Sequence, residues 1–302
     1  MKATIKICIC AVVAAALIAA LCVLLIPSTR WNLPNILRSA VSGDRYDEED
    51  SYHVGADTVT EFVDELDLHW SSGKVVITTH AGSDIRITES GYQTERQQLR
   101  WRVKDGKLVI REHASGLGWS LPNKTLELSL PEGDYDEISV DTASASVSVS
   151  GTLRLKKLDV DAASGSLSVA GIAMETLSYD SASGDCTLTD CSVTEFDMDT
   201  ASGKAMLTGS FEDVSFDAAS GNLELHTDVT PREISVDGVS SRVRLYLPAD
   251  AEFSAKLDSV SGDLVVEDFV GSYRGDEFSC GSGENHYKFS SVSGDVEIHK
   301  EG

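Results

Sequence analysis

Seven aspartates recur at a near-constant interval in this chain: Asp141, Asp161, Asp180, Asp199, Asp217, Asp237 and Asp258, separated by 20, 19, 19, 18, 20 and 21 residues. If the units they open stack, the carboxylates come within about 5 Å of one another, where neighbours repel by roughly 1 kcal/mol even at the dielectric of water. A hard cation such as calcium relieves that repulsion by taking several oxygen ligands. Hydrogen bonds from backbone N–H groups of a tight corner relieve it without metal. A calcium loop brings extra carboxylates and carbonyls, whereas the residues after each aspartate are mostly Ala, Ser and Thr, and the Gly-Gly-x-Gly-x-Asp repeat of calcium-binding β-rolls is absent. Corner capping by Asp and Ser is therefore the expected role. The seven aspartates stand as calcium candidates, and no other cofactor is expected.

Other spacings offer less. Ser71-Ser72-Gly73-Lys74 fits the Ser-x-x-Lys pattern in which a lysine activates a serine, but no Ser-Asp-Asn or Lys-Thr-Gly partner follows. Arg242 and Arg244 share one strand face, as a polysaccharide-active β-helix enzyme would need, yet no histidine or lysine converges with them in the sequence. Cross-rung pairing with acids is the simpler role. Trp70, Trp101 and Trp119 could form an aromatic platform, or close the end of a core. Asn123-Lys124-Thr125 matches a glycosylation sequon and carries little weight. Cys8, Cys10 and Cys22 fall in an apolar N-terminal run, leaving Cys186, Cys191 and Cys280, an odd number with no zinc-like spacing. Cys186 falls at a core position, as a buried thiol would. No catalytic residues are expected, and the chain is not read as an enzyme.

The elements that must position the aspartates follow from their flanks. The residues three and one places before each are apolar: Ile138/Val140, Leu158/Val160, Leu177/Tyr179, Phe196/Met198, Val214/Phe216 and Ile234/Val236. After the Ser-Gly corner a second alternation supplies Val147/Val149, Leu167/Val169, Cys186/Leu188, Ala205/Leu207, Leu223/Leu225, Val243/Leu245 and Leu264/Val266. Each unit thus contributes two short strands with one buried face, and neither can bury that face alone. The expected fold class is all-β: a β-solenoid of stacked parallel rungs of about 18–21 residues. Ser290 takes the aspartate's place at 290–294, and His69 takes it at 69–73. Residues 58–135 hold alternating segments, 74–78, 84–88, 99–103 and 107–111, punctuated by Gly82, Gly91 and Asp105-Gly106. They predict antiparallel hairpins entering the stack. The glycine-rich stretch 268–287 predicts an exposed loop or capping hairpin.

The tandem Asp-x-Ala/Val-Ser-Gly-x-Leu/Val units and the lead-in ending Leu128-Ser129-Leu130-Pro131 resemble the bacterial putative-adhesin family, a domain of unknown function found in cell-envelope stress operons, over 58–299. The resemblance implies a β-solenoid outside the membrane and a role at the envelope, and it brings no catalytic residues. Asp141-Thr-Ala-Ser-Ala and Asp237-Gly-Val-Ser-Ser depart from the unit by lacking the corner glycine.

The formal charge is −24. Residues 1–45 contribute +4, five Lys and Arg (Lys2, Lys6, Arg30, Arg38, Arg45) against Asp44, so residues 46–302 carry −24 − 4 = −28. Such a surface repels nucleic acid and attracts cations or basic proteins, besides keeping a repeat protein soluble. Residues 7–26 run for 20 positions without charge, Pro or Gly, the length of a membrane span. A cleavable leader has a shorter apolar core and a small-x-small site at its end, which favours an uncleaved anchor. Leu21 before Cys22 disfavours a lipoprotein. Lys2 and Lys6 bias the N-terminus inward. The expected organisation is a cytoplasmic N-terminus at 1–6, a transmembrane helix at 7–26, a juxtamembrane tether at 27–57 and the solenoid at 58–299. That places the protein in the cell membrane, single-pass, with its ectodomain outside the cytoplasm. The expected function is a non-catalytic interaction or sensing scaffold touching an envelope protein or cell-wall component. A calcium-stiffened stalk and a polysaccharide-active enzyme are the alternatives.

Overall fold

The computed structural model describes residues 52–91, 94–113 and 123–301. Among the described residues strands account for almost all regular structure, the one helical element being a 3₁₀ turn at Glu95–Gln97. Among the described residues no helix is long and apolar enough to cross a membrane, and the expected span at 7–26 lies outside them.

The strands pair in parallel from rung to rung. Gly133–Thr142, Leu153–Ala162 and Ala173–Ser181 lie side by side, as do the second strands Ser146–Ser150 and Leu167–Ala170. Cys186–Thr200 and Lys204–Ala218 each run through both stacks, which joins the strands among the described residues into one 24-stranded sheet. Alternation then does what period 2 requires. Leu158, Val160, Leu177, Tyr179, Phe196, Met198 and Phe216 point inward and are buried, and so are Val147, Leu167, Leu188 and Leu207 opposite them. All the inward positions read from the repeat are buried except Leu264 and Val266 in the last second strand, which are only partly covered.

At the corners, small residues are required by contact. A methyl group on Gly184 would overlap the Gly165 carbonyl oxygen and the Tyr179 hydroxyl, because the corner of each rung lies directly on the one before. Adjacent corners are tied by backbone bonds such as Ser164 N–H to Ala143 O (2.9 Å) and Ser202 N–H to Ala182 O (3.1 Å). At two corners the residue after the aspartate supplies a side-chain cap. Thr142 Oγ1 accepts the Ala145 N–H (2.8 Å), and Ser181 Oγ accepts the Gly184 N–H (2.6 Å). The corner without glycine after Asp141 is thus a formed, capped turn.

The ends depart from sequence order. Residues 65–80 form a complete parallel rung, and it lies inside the stack. Glu65–His69 sits between Gly133–Thr142 and Lys107–Arg111, and Gly73–His80 between Ser146–Ser150 and Lys124–Pro131. The expected hairpins are correspondingly only part of the N-terminal region. Arg100–Lys104 and Lys107–Arg111 do form one, but 74–78 and 84–88 do not pair with each other. Both flank Lys124–Pro131, the first parallel to it and the second antiparallel. The far end mirrors this. Asn285–Ser293 inserts between Glu233–Gly238 and Phe253–Ser261, and the hairpin of Ser272–Arg274 and Glu277–Cys280 covers the outer edge as expected. Antiparallel flaps over an outermost rung protect edges that would otherwise template aggregation.

Candidate functional site: an aspartate ladder and its cationic cap

Strand register decides which aspartates meet. Asp141 pairs with Asp161, Asp161 with Asp180, Asp180 with Asp199, Asp199 with Asp217, and Asp217 with Asp237. These six form one unbroken column on the outer face. Asp258, the seventh calcium candidate, is set apart. The column continues from Asp237 to Ser290, and only then to Asp258, because the C-terminal rung inserts there. Beside the column runs a second one, two residues earlier, in which Asp159 and Asp197 alternate with Ser139, Ser178 and Ser215.

The centre of the ladder is short of cations. Half-burial and the neighbouring carboxylates Asp141 and Asp159 push the Asp161 carboxyl up to about 6, with Lys157 opposing. Burial and Asp161, Asp197 and Asp159 push Asp180 to about 7, and burial and Asp180, Asp197 and Asp217 do the same to Asp199. Asp197 is raised by burial, against a hydrogen bond from Ser215.

The N-terminal end of the column is neutralised. His69 stands in register with Asp141 and Arg111 in register with His69. The His69 Nε2–H donates to Asp141 Oδ2 (2.9 Å) and Asp67 Oδ1 (3.1 Å). Arg111 closes a fork on Asp67, with Nη1 at 2.9 Å from Oδ1 and Nη2 at 3.0 Å from Oδ2. Burial lowers the basicity of His69, but these two carboxylates outweigh it and raise the imidazole to about 9. Burial likewise works to raise Asp67, and the hydrogen bonds of His69 and Arg111 hold it well below the usual carboxylate range. Asp67, His69 and Asp141 are the one trio among the described residues close enough to share a metal ion. Here the nitrogen that would bind a metal is hydrogen-bonded to both carboxylates, and Arg111 holds both oxygens of Asp67, so His69 and Arg111 balance Asp67 and Asp141 as an ion-paired cap.

The remaining sequence-derived positions fall into structural roles. The Ser71 N–H donates to Glu112 Oε2 (2.7 Å), and Lys74 is exposed on the following strand. Arg244 Nε reaches Glu297 Oε2 (2.9 Å), a cross-rung pair. Trp70 and Trp101 are buried in the N-terminal end, and Trp119 lies outside the described residues. Cys186, Cys191 and Cys280 are buried free thiols.

Two features are not readable from the repeat. Lys124 is fully buried, its Nζ 2.8 Å from Glu89 Oε1, 2.8 Å from the Gln97 carbonyl and 3.5 Å from Glu112 Oε1, beneath the Trp70 ring. His226, Tyr246 and His299 stack across three adjacent rungs, with centroids 4.1 and 5.2 Å apart, and His226 contacts Glu224 and Glu301. Each depends on which rung lies beside which, and the end rungs hide that from sequence order.

Parallel rungs wound about one apolar core, with regular outer columns, define a β-solenoid fold. The Toastrack DUF4097 family model matches residues 63–299, so the chain belongs to the Toastrack DUF4097 family, in line with the resemblance carried by its corner repeats. No curated protein matches the chain. Among solved structures it is similar to a putative lipid binding protein from Parabacteroides distasonis, at 16% identity, covering 84% of this chain and 98% of that one with a TM-score of 0.48. It is also similar to a putative adhesin from the same organism, at 11% identity, covering 82% and 97% with a TM-score of 0.47.

Proposed function

We propose that this protein is a non-catalytic interaction scaffold of the bacterial cell envelope, held in the membrane by a single span at 7–26, with the 58–299 solenoid outside the cytoplasm on a 27–57 tether. The observation that carries the reading is the outer surface. Six successive rungs repeat one column of carboxylates in register, which makes an extended, periodic, acidic face. Enzymes concentrate convergent titratable groups in a pocket, whereas a surface that repeats one group along the long axis suits contact with an extended envelope protein or cell-wall component. Family membership fits such a role and supplies no catalytic residues. The net charge of −28 beyond residue 45 directs contact toward cationic or neutral partners and away from nucleic acid.

The test is topology. Full-length chain expressed in bacteria should sediment with membranes and keep an intact N-terminus, and protease added to intact, outer-layer-permeabilised cells should remove the solenoid while residues 1–6 stay protected. A chain recovered in the soluble cytoplasmic fraction, or a solenoid protected until the membrane is dissolved, would overturn the proposal.

A further inference from the structure

The aspartate column holds like charges in register, yet the parallel pairing around it is continuous. Something must neutralise its centre. The groups facing its three central members, Asp161, Asp180 and Asp199, come from the strands on either side. Asp161 faces Asp141 and Asp180 from the adjacent strands, with Asp159 and Lys157 on its own strand. Asp180 faces Asp161 and Asp199 across the strands, with Asp159, Asp197 and Lys157 nearby. Asp199 faces Asp180 and Asp217, beside Asp197. Lys157 is the one cation among these groups, and it is already bound to Asp159 (2.7 Å). The His69–Arg111 cap serves Asp67 and Asp141 at the far end.

We propose that Asp161, Asp180 and Asp199, in register at the centre of this column, form a proton-storing ladder, in which neighbouring side chains share protons as carboxylic acid–carboxylate pairs, so that the solenoid tightens when its surroundings become mildly acidic. Strands of a parallel sheet lie about 4.8 Å apart, a distance that two aspartate side chains close by small rotations to make an O–H···O⁻ bond. The burial-driven rise of Asp161, Asp180 and Asp199 agrees with protons being held there. The direction of the effect is opposite to that of an ion-paired aspartate. A carboxyl whose folded pKa is raised keeps a proton that the unfolded chain releases near pH 4. Its stabilisation is therefore complete below about pH 4 and is lost as pH rises through 6 to 7. The column titrates as a set, so the transition is broad.

The experiment is thermal unfolding of the full-length chain from pH 8.5 to 5.5 in the presence of chelator. It is paired with a titration of ¹³C-labelled aspartate carboxyl carbons in the same chain, the Asp180 signal being assigned by its loss in Asp180→Asn. The folding constant should rise at least about tenfold between pH 8 and pH 6, the linkage expected for one extra bound proton across part of that range. Asp180→Asn, which mimics the protonated acid, should flatten this rise and lift the midpoint at pH 8, while Asp134→Asn, far out on the surface, should leave it unchanged. The Asp180 carboxyl carbon should titrate between about pH 6 and 8. An Asp180 signal that titrates near pH 4, or a midpoint that stays level or falls on acidification, overturns the proposal. So does a column that is unresponsive to acid in chelator but stabilised by millimolar calcium at pH 8, which would make the aspartates the metal ligands that their spacing allows.

Discussion

Two charged regions of this molecule solve opposite problems. The ladder between Asp141 and Asp237 lines up like charges on a half-buried face with hardly a cation among them. The Lys124 cluster buries one cation completely and surrounds it with Glu89, Glu112, the Gln97 carbonyl and the Trp70 ring. The ladder lies where the sequence repeats, and every rung must accept whatever the repeat puts there. Water and protons remain within reach to soften the repulsion. The lysine lies where repetition stops, at the closed N-terminal end, where neither can enter and the compensation has to be built in side chain by side chain. Periodicity thus tolerates electrostatic strain at the surface, and a cap does not tolerate it inside.

The sharpest way to break that comparison is to remove the buried cation. Lys124→Met leaves Glu89 and Glu112 in the interior without their partner, and losing one member of a buried ion pair costs about 3–5 kcal/mol. Denaturant unfolding should show that loss with an unchanged slope. Adding Glu89→Gln should recover part of it, since the cost lies in the orphaned charge. The contrast with the ladder is one of sign, because neutralising Asp180 there is expected to stabilise at pH 8.

A second, smaller effect tests whether the regular rungs owe their stacking to the corners. Gly184→Ala places a methyl against the Gly165 carbonyl and the Tyr179 hydroxyl, and overpacking of this kind costs about 1–3 kcal/mol. Thermal unfolding should show a lowered midpoint. An unchanged midpoint would mean that the corner relaxes freely and that strand pairing alone sets the rise between rungs.

The middle of the molecule was legible from its residues, and so were the hairpins at its ends, but the order of the end rungs was not. The spacing of the aspartates and the apolar residues one and three places before them located inward positions such as Leu177 and Phe196 correctly, because period 2 and the rung period are both local signals. What no local signal carries is the order of rungs in space. His69 was recognisable as standing in an aspartate's place, but its pairing with Asp141 spans 72 residues, from 69 to 141, across a rung that lies outside both. Ser290 separates Asp258 from the ladder for the same reason. The expectation was corner capping by Asp and Ser, and at the Asp141 and Asp180 corners the accepting oxygens belong to the next residue, Thr142 and Ser181. Thr142 and Ser181 point inward toward the corner amides, while the aspartates point out. Lys124 gave no sign of burial, since its partners come from three separate segments.

The third prediction joins the two regions, because His69 is the place where the ladder meets a cap. Its imidazole is held to about 9 by Asp141 and Asp67 against burial. The stabilisation it gives is therefore complete below the unfolded value of about 6.5 and is lost as pH rises through 9. His69→Gln keeps a donor but removes the charge, and should cost about 1–3 kcal/mol at pH 6, the usual worth of hydrogen bonds to charged groups, and little at pH 9.5. The same variant takes the cation away from Asp141, the neighbour of Asp161, so the Asp161 carboxyl should titrate at higher pH in the ¹³C experiment. A histidine acting only as packing would lower stability equally at both pH values and leave the Asp161 carboxyl where it is. Movement of Asp161, which does not pair with His69, would show that charge is communicated along the column, as a set of shared protons requires.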